Sequence, residues 1–190
     1  VLCYVMLGIG MLPGVNYGQI FSLSFGNTTF VFLLFTFLMT YALEQTPALR
    51  RFVARALGSS FAGKSPWHFI GAFYASVLAI SLFISPTILF MIVFPIYEEI
   101  MVVLGLKKGD REASVLLIAL FATVAIGTAM TPINHVFSVT AMALYKNATG
   151  IAISNAQYMM IGIPAGLVLF IAMWAVLRTV WRVDLSNAEM

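Results

Sequence analysis

Two short segments of the sequence place a hydroxyl side chain directly before a proline inside an apolar stretch. These segments are Ser85-Pro86-Thr87 and Thr131-Pro132. Serine and threonine are good N-caps and proline is favoured at the first helical position, so each pair can begin a helix. A helix N-terminus presents unpaired N–H groups and about half a positive charge. Two such ends facing one cavity would attract a small anion without lysine or arginine.

Other hydroxyl groups lie close to the same two segments. Ser81 precedes Ser85 by one helical turn, so both side chains can face the same side of a helix. Hydroxyl oxygens and the carbonyl groups freed at a helix break are suitable ligands for a hard cation such as Na⁺. The hydroxyl residues that could serve an anion or a sodium ion are Ser81, Ser85, Thr87, Thr128 and Thr131.

Each of these features has a simpler interpretation. A Ser-Pro or Thr-Pro pair in a membrane helix is often a kink in which the hydroxyl bonds back to the backbone. His135 is the only side chain of the uncharged stretch 113–145 that ionises near neutral pH. It could relay a proton or contact a substrate, or it could be a neutral histidine that is hydrogen-bonded within the helical bundle.

The composition indicates an integral membrane protein. The chain is 62% hydrophobic and only 9% charged, whereas ordinary domains contain roughly 25% charged residues. A helix needs about 17–25 apolar residues to cross a bilayer. Four longer stretches contain no Asp, Glu, Lys or Arg, namely 1–43, 65–97, 113–145 and 147–177. We therefore expect an all-α, multi-spanning helical bundle in contact with membrane lipid.

The positions of the basic residues predict the orientation. Of the ten Lys and Arg residues, all except Lys146 fall in 48–66, in 105–112 or in the tail that begins at 178. Positively charged loops stay in the cytoplasm, so we expect these three segments on the cytoplasmic side of the cell membrane. Because the basic residues are explained by topology, the net charge of +3 does not indicate a nucleic-acid partner.

The segment lengths predict interrupted helices. The uncharged part of 69–97 is long for one crossing and short for two, and both of its flanks are basic. It should therefore enter and return on one side, with 85–87 at its tip. The stretch 113–145 is too long for one straight crossing, and we expect helices over 113–126 and 132–145 with a loop at 127–131. The expected elements are a crossing helix 28–47, an interfacial segment 48–66, a re-entrant hairpin 67–104, a broken helix 113–146 and a crossing helix 154–178.

The order of these motifs resembles the divalent anion:sodium symporter family of the ion transporter superfamily. The resemblance extends from about residue 24 to 175 and depends on the order of several short motifs. These are Phe25-Gly26-Asn27-Thr28-Thr29, Ala42-Leu43-Glu44-Gln45-Thr46 with Arg50-Arg51, Ser81 to Thr87 with Pro95, Ile126-Gly127 with Thr131-Pro132, and Gly162-Ile163-Pro164. Pro86 stands where the family has an asparagine, and Asn134-His135 stands near the family's Pro-Pro-Asn.

The resemblance implies one half of an inverted-repeat transporter, which carries a small carboxylate or related anion together with sodium. It implies an anion site at Ser85, Pro86, Thr87, Thr131 and Pro132. It implies a sodium site at Ser81, Ser85, Gly127, Thr128, Thr131 and Asn134, with His135 as a possible proton-linked residue. It further implies that a C-terminal repeat or a partner chain completes the site, and that the protein is a homodimer.

Two other functions remain open at this stage. The chain could belong to a sodium/proton antiporter or an arsenite-type carrier of the same superfamily, or it could be a non-transporting membrane subunit. An enzyme is not expected, because the sequence contains no HExxH, GxSxG or P-loop motif. Apart from sodium as the coupling ion, no cofactor or metal is expected.

Overall fold

The fold is described from a computed structural model, which covers residues 8–9, 11, 14, 16–26, 28–133 and 135–185. These residues form α-helices and one 3-10 turn, and they contain no strand. The helices are α1 (Tyr17–Phe25), α2 (Thr28–Glu44), α3 (Ala48–Leu57), α4 (Pro66–Ser81), α5 (Pro86–Val103), α6 (Arg111–Met130), α7 (Val136–Thr149) and α8 (Asn155–Thr179), and the 3-10 turn is Ala62–Lys64. The predicted all-helical class is thus confirmed.

Local sequence explains several of the helix ends. Ser65 accepts a hydrogen bond from the backbone N–H of His68, and Pro66 occupies the first turn of α4. Ser154 and Gln157 form a reciprocal capping box at the start of α8. Gly150 ends α7 with a positive φ of 75°, a conformation that glycine adopts without steric cost.

Helices α4 and α5 form an antiparallel pair against α6. Along α4, the Tyr74 hydroxyl donates to the Leu116 carbonyl (2.6 Å), whereas the end of the helix at Ser81 lies against Gly127. Along α5 the order is reversed, since Phe90 stacks edge-on against Phe121 and the Tyr97 hydroxyl donates to the carbonyl of Ala113. Therefore α4 runs parallel to α6, the chain turns at 82–85, and α5 returns antiparallel to α6.

The second interruption lies a few residues later than the sequence predicts. Helix α6 continues through Gly127 and Thr128 to Met130, and α7 begins at Val136. Proline disfavours the helical conformation of the residue before it. Thr131 accordingly is extended (φ −130°, ψ 152°), and Pro132 sets the break. Gly127 was expected in the loop, but it allows close packing within a helix instead.

Helix α8 packs antiparallel to α6. The Thr123 hydroxyl contacts the Met173 sulfur (3.7 Å), and the end of α6 at Met130 lies against Gly162 and Gly166. A Cβ atom at Gly162 would come within 2.7 Å of the Met130 carbonyl oxygen. This Gly-x-x-x-Gly spacing, typical of close helix packing in membranes, lets the two backbones approach.

Two of the three basic segments meet at one end of the bundle, beside the start of α4. The Arg111 guanidinium donates to the Trp181 carbonyl (2.8 Å), which joins the loop before α6 to the tail after α8. The Arg178 guanidinium lies 4.7 Å from the ring centroid of Trp67, in the first turn of α4. These contacts place Arg111, Arg178 and the first turn of α4 at the same end of the bundle.

Three of the described helices, α5, α6 and α8, are long and apolar enough to cross a membrane. Helix α4 is largely buried, with Phe73, Tyr74 and Val77 at its core. By contrast, α8 exposes large apolar side chains such as Met160 and Ile161, which are 76% and 75% exposed. Apolar surface of this extent requires lipid or another protein surface to cover it, and the chain is therefore consistent with a membrane protein.

The close approach of α4 and α6 can be tested at Gly127. A Cβ atom at this position would overlap Ser81 Oγ and lie 2.8 Å from Ser81 Cβ. We expect Gly127→Ala to lower the free energy of unfolding by about 1–3 kcal/mol through overpacking, as measured by denaturant titration in detergent micelles. The double variant S81G/G127A should recover part of this loss.

Gly63→Ala is the matched control, because a Cβ atom at Gly63 would meet nothing within 4 Å. If G127A were as stable as G63A, the two helices would be further apart than described.

Candidate functional site

The two helix breaks are in direct contact. The Thr131 hydroxyl donates a hydrogen bond to the Leu82 carbonyl oxygen, with 2.6 Å between the two atoms. Thr131 is only 3% exposed, so this bond is shielded from water. Leu82 follows the last residue of α4, and its carbonyl would otherwise lack a helical partner. The bond therefore joins the turn of the hairpin to the start of the second break.

One residue before Leu82, Ser81 packs against Gly127, and this contact brings α4 and α6 together. Ser81 is fully buried, and its hydroxyl donates to the Leu78 carbonyl at 2.6 Å. A hydroxyl that donates its proton keeps oxygen lone pairs that can accept or coordinate. The Ser81 oxygen thus keeps lone pairs, although it is fully buried against Gly127.

The arrangement of the helix ends produces a polar environment within apolar surroundings. Because α4 and α6 are parallel and end at the same level, their C-terminal carbonyls lie close together. Each C-terminus carries about half a negative charge, and the N-terminus of α5 carries about half a positive charge. Only residues 82–85 separate the end of α4 from the beginning of α5. A cation is favoured by the first pair of ends and an anion by the start of α5.

The residues predicted at the hairpin tip differ in exposure. Ser85 is the N-cap of α5 and is half-buried; its carbonyl accepts from the Leu89 N–H, but its hydroxyl makes no capping hydrogen bond. Pro86 is half-buried in the first turn of α5, and Thr87 is exposed. Ser85 is therefore the tip side chain whose hydroxyl is placed beside the helix N-terminus without being used to cap it.

The residues predicted at the second break also separate into groups. Thr131 and Pro132 are buried at the break itself. The Thr128 hydroxyl points back along α6, where it bonds to the carbonyls of Val124 (2.9 Å) and Ala125 (3.1 Å). Asn134 lies outside the described residues. The structure thus brings Ser81, Leu82, Gly127 and Thr131 together, and it directs the Thr128 side chain elsewhere.

His135 belongs to a polar chain that sequence reasoning missed. Its Nδ1 atom lies 3.3 Å from the Ser138 hydroxyl, which lies 3.0 Å from the Tyr158 hydroxyl. The Tyr158 hydroxyl also contacts the Ala129 carbonyl at 3.0 Å. This chain connects the first turn of α7 to α8 and to the end of α6, and it satisfies a carbonyl that the break leaves free. The only sequence signal for it was a serine one turn after His135.

Thr40 is a second residue that the sequence did not single out. It is buried in α2, and its hydroxyl lies 3.0 Å from the Thr36 carbonyl and 3.5 Å from the Phe83 carbonyl. Helix α2 thus contacts the turn of the hairpin. Thr36 and Thr40 are one turn apart in the apolar middle of α2, which is the available signal.

An open cavity of about 620 Å³ lies next to the second break. Tyr158 and Gly162, which contact the end of α6, form part of its wall. The remaining lining residues are Tyr145, Ile151, Ala152, Ile153, Gln157, Met160 and Ile161. Most of the lining is apolar and none of the lining residues is charged, so the cavity adds no charged group to the second break.

The described residues contain no group of three His, Cys, Asp or Glu side chains placed to hold a metal ion. Apart from the His135 imidazole, the polar atoms described at the breaks are instead neutral hydroxyl and carbonyl oxygens. Such oxygens are ligands for hard cations and do not select the transition metals that imidazole and thiolate bind.

Fold and site together define the class of this chain, an all-helical protein with three helices compatible with membrane spans and two contacting helix breaks. Comparisons with protein families, with curated proteins and with solved structures find no match. The resemblance to the symporter family therefore depends only on the short sequence motifs between residues 24 and 175.

The bond between the breaks can be tested with Thr131→Val, which keeps the shape of the side chain and removes the hydroxyl. It leaves the Leu82 carbonyl unsatisfied, at an expected cost of about 1–3 kcal/mol. We expect faster amide hydrogen exchange in residues 82–85, measured on the purified protein. Thr128→Val is the control, since that hydroxyl bonds within its own helix; equal exchange in both variants would contradict the contact.

The polar chain can be tested with a double-mutant cycle of Ser138→Ala and Tyr158→Phe. Because the two hydroxyls are 3.0 Å apart, we expect a coupling energy of about 0.5–1.5 kcal/mol in the free energy of unfolding. The pair Ser138→Ala and Thr179→Val should be additive, since Thr179 lies at the other end of α8. Additivity in both pairs would rule out the described hydrogen bond.

Proposed function

We propose that this chain forms one half of a secondary transporter that couples sodium to a small carboxylate or related anion. The observation that carries this proposal is the hydrogen bond from Thr131 to Leu82, which joins two helix breaks. Interrupted helices that meet inside a membrane protein are the usual location of a transporter's binding site. Irregular backbone at such a position is tolerated where it is buried or lines a cavity.

The charge distribution favours a monovalent cation at the ends of α4 and α6. Neither 45–97 nor 113–145 contains an Asp or Glu, so these two segments contribute negative potential through carbonyl dipoles and not through carboxylates. A divalent ion normally requires carboxylates. Ser81 and Thr131 both donate their hydroxyl protons to carbonyls, which leaves oxygen lone pairs for Na⁺.

The complementary anion would bind at the start of α5. The Ser85 hydroxyl is half-buried, is not used as a cap, and stands beside the free N–H groups of the first turn. Binding of the cation at the ends of α4 and α6 would place positive charge a few residues away. Each ion would then strengthen the binding of the other, which is the coupling that symport requires.

The contacts also suggest the depth of this site. Helix α6 has 20 residues between the basic end and the break, which is about 30 Å, close to the thickness of the hydrocarbon core. The break lies opposite residues 158–162, a few residues after the start of α8. If α6 and α8 cross fully, the site is nearer the Lys146 side than the mid-membrane position suggested by the sequence.

A second repeat, from the same polypeptide or a partner chain, would complete the site. The exposed apolar faces of α2 and α8 supply surface for such a repeat, for lipid and for a homodimer contact. The superfamily alternatives, a sodium/proton antiporter or an arsenite-type carrier, depend on groups that this second repeat would contribute.

A non-transporting membrane subunit is favoured by one observation. The hydroxyls of Ser81 and Thr128 donate to carbonyls of their own helices, as they would at a simple packing kink. Transport and packing therefore predict different effects of mutations at Ser85, whose hydroxyl makes no such bond.

Sodium-driven uptake of labelled succinate by the full-length protein in proteoliposomes provides the test. We expect Ser85→Ala and Thr131→Ala to lower uptake about 10- to 100-fold, since each removes a hydrogen bond or ligand to a charged species. Thr179→Ala, which removes a hydroxyl at the far end of α8, should retain uptake. Normal sodium-dependent uptake in both site variants would contradict the proposed binding role.

Labelling of a cysteine at position 85 distinguishes a re-entrant hairpin from a full crossing, which α5 is long enough to make. With a membrane-impermeant reagent applied on the Lys146 side, a re-entrant tip should react slowly and be protected by sodium plus succinate. A cysteine at 152, in the exposed segment before α8, is the reference. Equal, unprotected reaction at both positions would favour a full crossing and a packing role.

A further inference from the structure

The basic end of the bundle contains an open cavity that the transport proposal does not use. Its volume is about 560 Å³, and it is lined by Trp67, Arg178, Arg182, Val183 and Asp184. Two guanidinium groups and one carboxylate thus face the same space beside an indole ring. The cavity lies at the end of α8, which is the longest apolar helix of the described chain.

Arg178 is held in place by aromatic rings. Its guanidinium carbon lies 4.7 Å from the ring centroid of Trp67 and 5.9 Å from that of Trp174. The two indoles are themselves in edge-to-face contact at 5.4 Å. A guanidinium stacked on an indole keeps its N–H groups free at its edge, where they can bind a phosphate in a bidentate manner.

Arg182 is held by its backbone. It is the only non-glycine residue with a positive φ (46°) in the part of the chain that the structure describes. The residues on either side are fixed, since the Trp181 carbonyl accepts from Arg111 and the Val183 N–H donates to the Leu177 carbonyl. Val183 and Leu185 are buried, so the tail is packed onto the bundle. A costly backbone conformation that is fixed by its surroundings is often associated with a binding role.

The surroundings favour an anionic ligand that lies at a membrane surface. Lys64 precedes Trp67 by three residues, and no Asp or Glu occurs between 45 and 97. Asp184 is the one acidic side chain in the cavity wall, so the lining keeps a net positive charge. Tryptophan is enriched at the level of lipid headgroups, and two of the three tryptophans here surround Arg178.

We infer that this cavity binds the phosphate headgroup of an anionic phospholipid through Arg178 and Arg182, with Trp67 at the level of the headgroup. The inference is independent of the proposed transport activity. A soluble phosphate would use the same guanidinium groups, but it would gain nothing from the adjacent apolar surface of α8.

The test titrates the purified full-length protein in a neutral detergent with phosphatidylglycerol and with phosphatidylcholine, and counts bound lipid by native mass spectrometry. We expect phosphatidylglycerol to bind at least about 10-fold more tightly, and to weaken as salt is raised. Arg178→Gln and Arg182→Gly should each lower its affinity about five-fold, the effect of one basic group near a charged membrane surface. Arg178→Lys should also bind less tightly, because lysine lacks the planar fork.

Arg182→Gly separates binding from folding, since glycine accepts a positive φ and should keep the unliganded melting temperature. Lys108→Gln removes one exposed charge from another loop of the same end and should retain lipid binding. Equal affinity for the two lipids, an equal loss in Lys108→Gln, or complete displacement of the lipid by about 10 mM inorganic phosphate at constant ionic strength would each overturn the inference.

Discussion

The polar backbone groups freed at two chain interruptions determine most of this structure. An unpaired carbonyl in apolar surroundings is costly, and the interruptions after α4 and after α6 each leave such groups at a helix end. The chain satisfies them by tertiary contacts: Thr131 bonds to Leu82, and Tyr158 bonds to Ala129. The need to pair these carbonyls therefore brings the hairpin, the broken helix and α8 together, and it concentrates polar oxygen atoms at one place in an apolar bundle.

The sequence predicts the fold class because the uncharged stretches are long, and it predicts the hairpin turn because Ser85-Pro86 is a clear helix start. Its error at Gly127 has a definite cause. Glycine near a Thr-Pro pair favours a loop, whereas Gly127 occupies a helix where Ser81 approaches too closely for any side chain. Proline, which lacks an N–H, determines where α6 ends.

The remaining parts of the site depend on tertiary geometry that no local pattern encodes. Whether a threonine hydroxyl faces its own helix, as at Thr128, or a neighbouring turn, as at Thr131, depends on which helix packs beside it. Tyr158 lies 29 residues from its partner Ala129 in sequence. The level of the second break along α8 likewise follows from the packing of Met130 against Gly162 and Gly166, and not from the position of the prolines within an uncharged stretch.

The two tyrosines that attach the hairpin to α6 have a mechanical consequence. Tyr74 in α4 and Tyr97 in α5 donate hydrogen bonds to carbonyls in the first two turns of α6. The turn between α4 and α5 is hydrogen-bonded to Thr131, at the other end of α6. The attachments are separated by about 15 residues of α6, or roughly 22 Å. Because α4 and α5 are attached to α6 near both of its ends, neither helix can easily slide or twist against α6. Any large movement would therefore carry these three helices as a rigid body, together with α8, which packs along α6 from Met130 to Arg111.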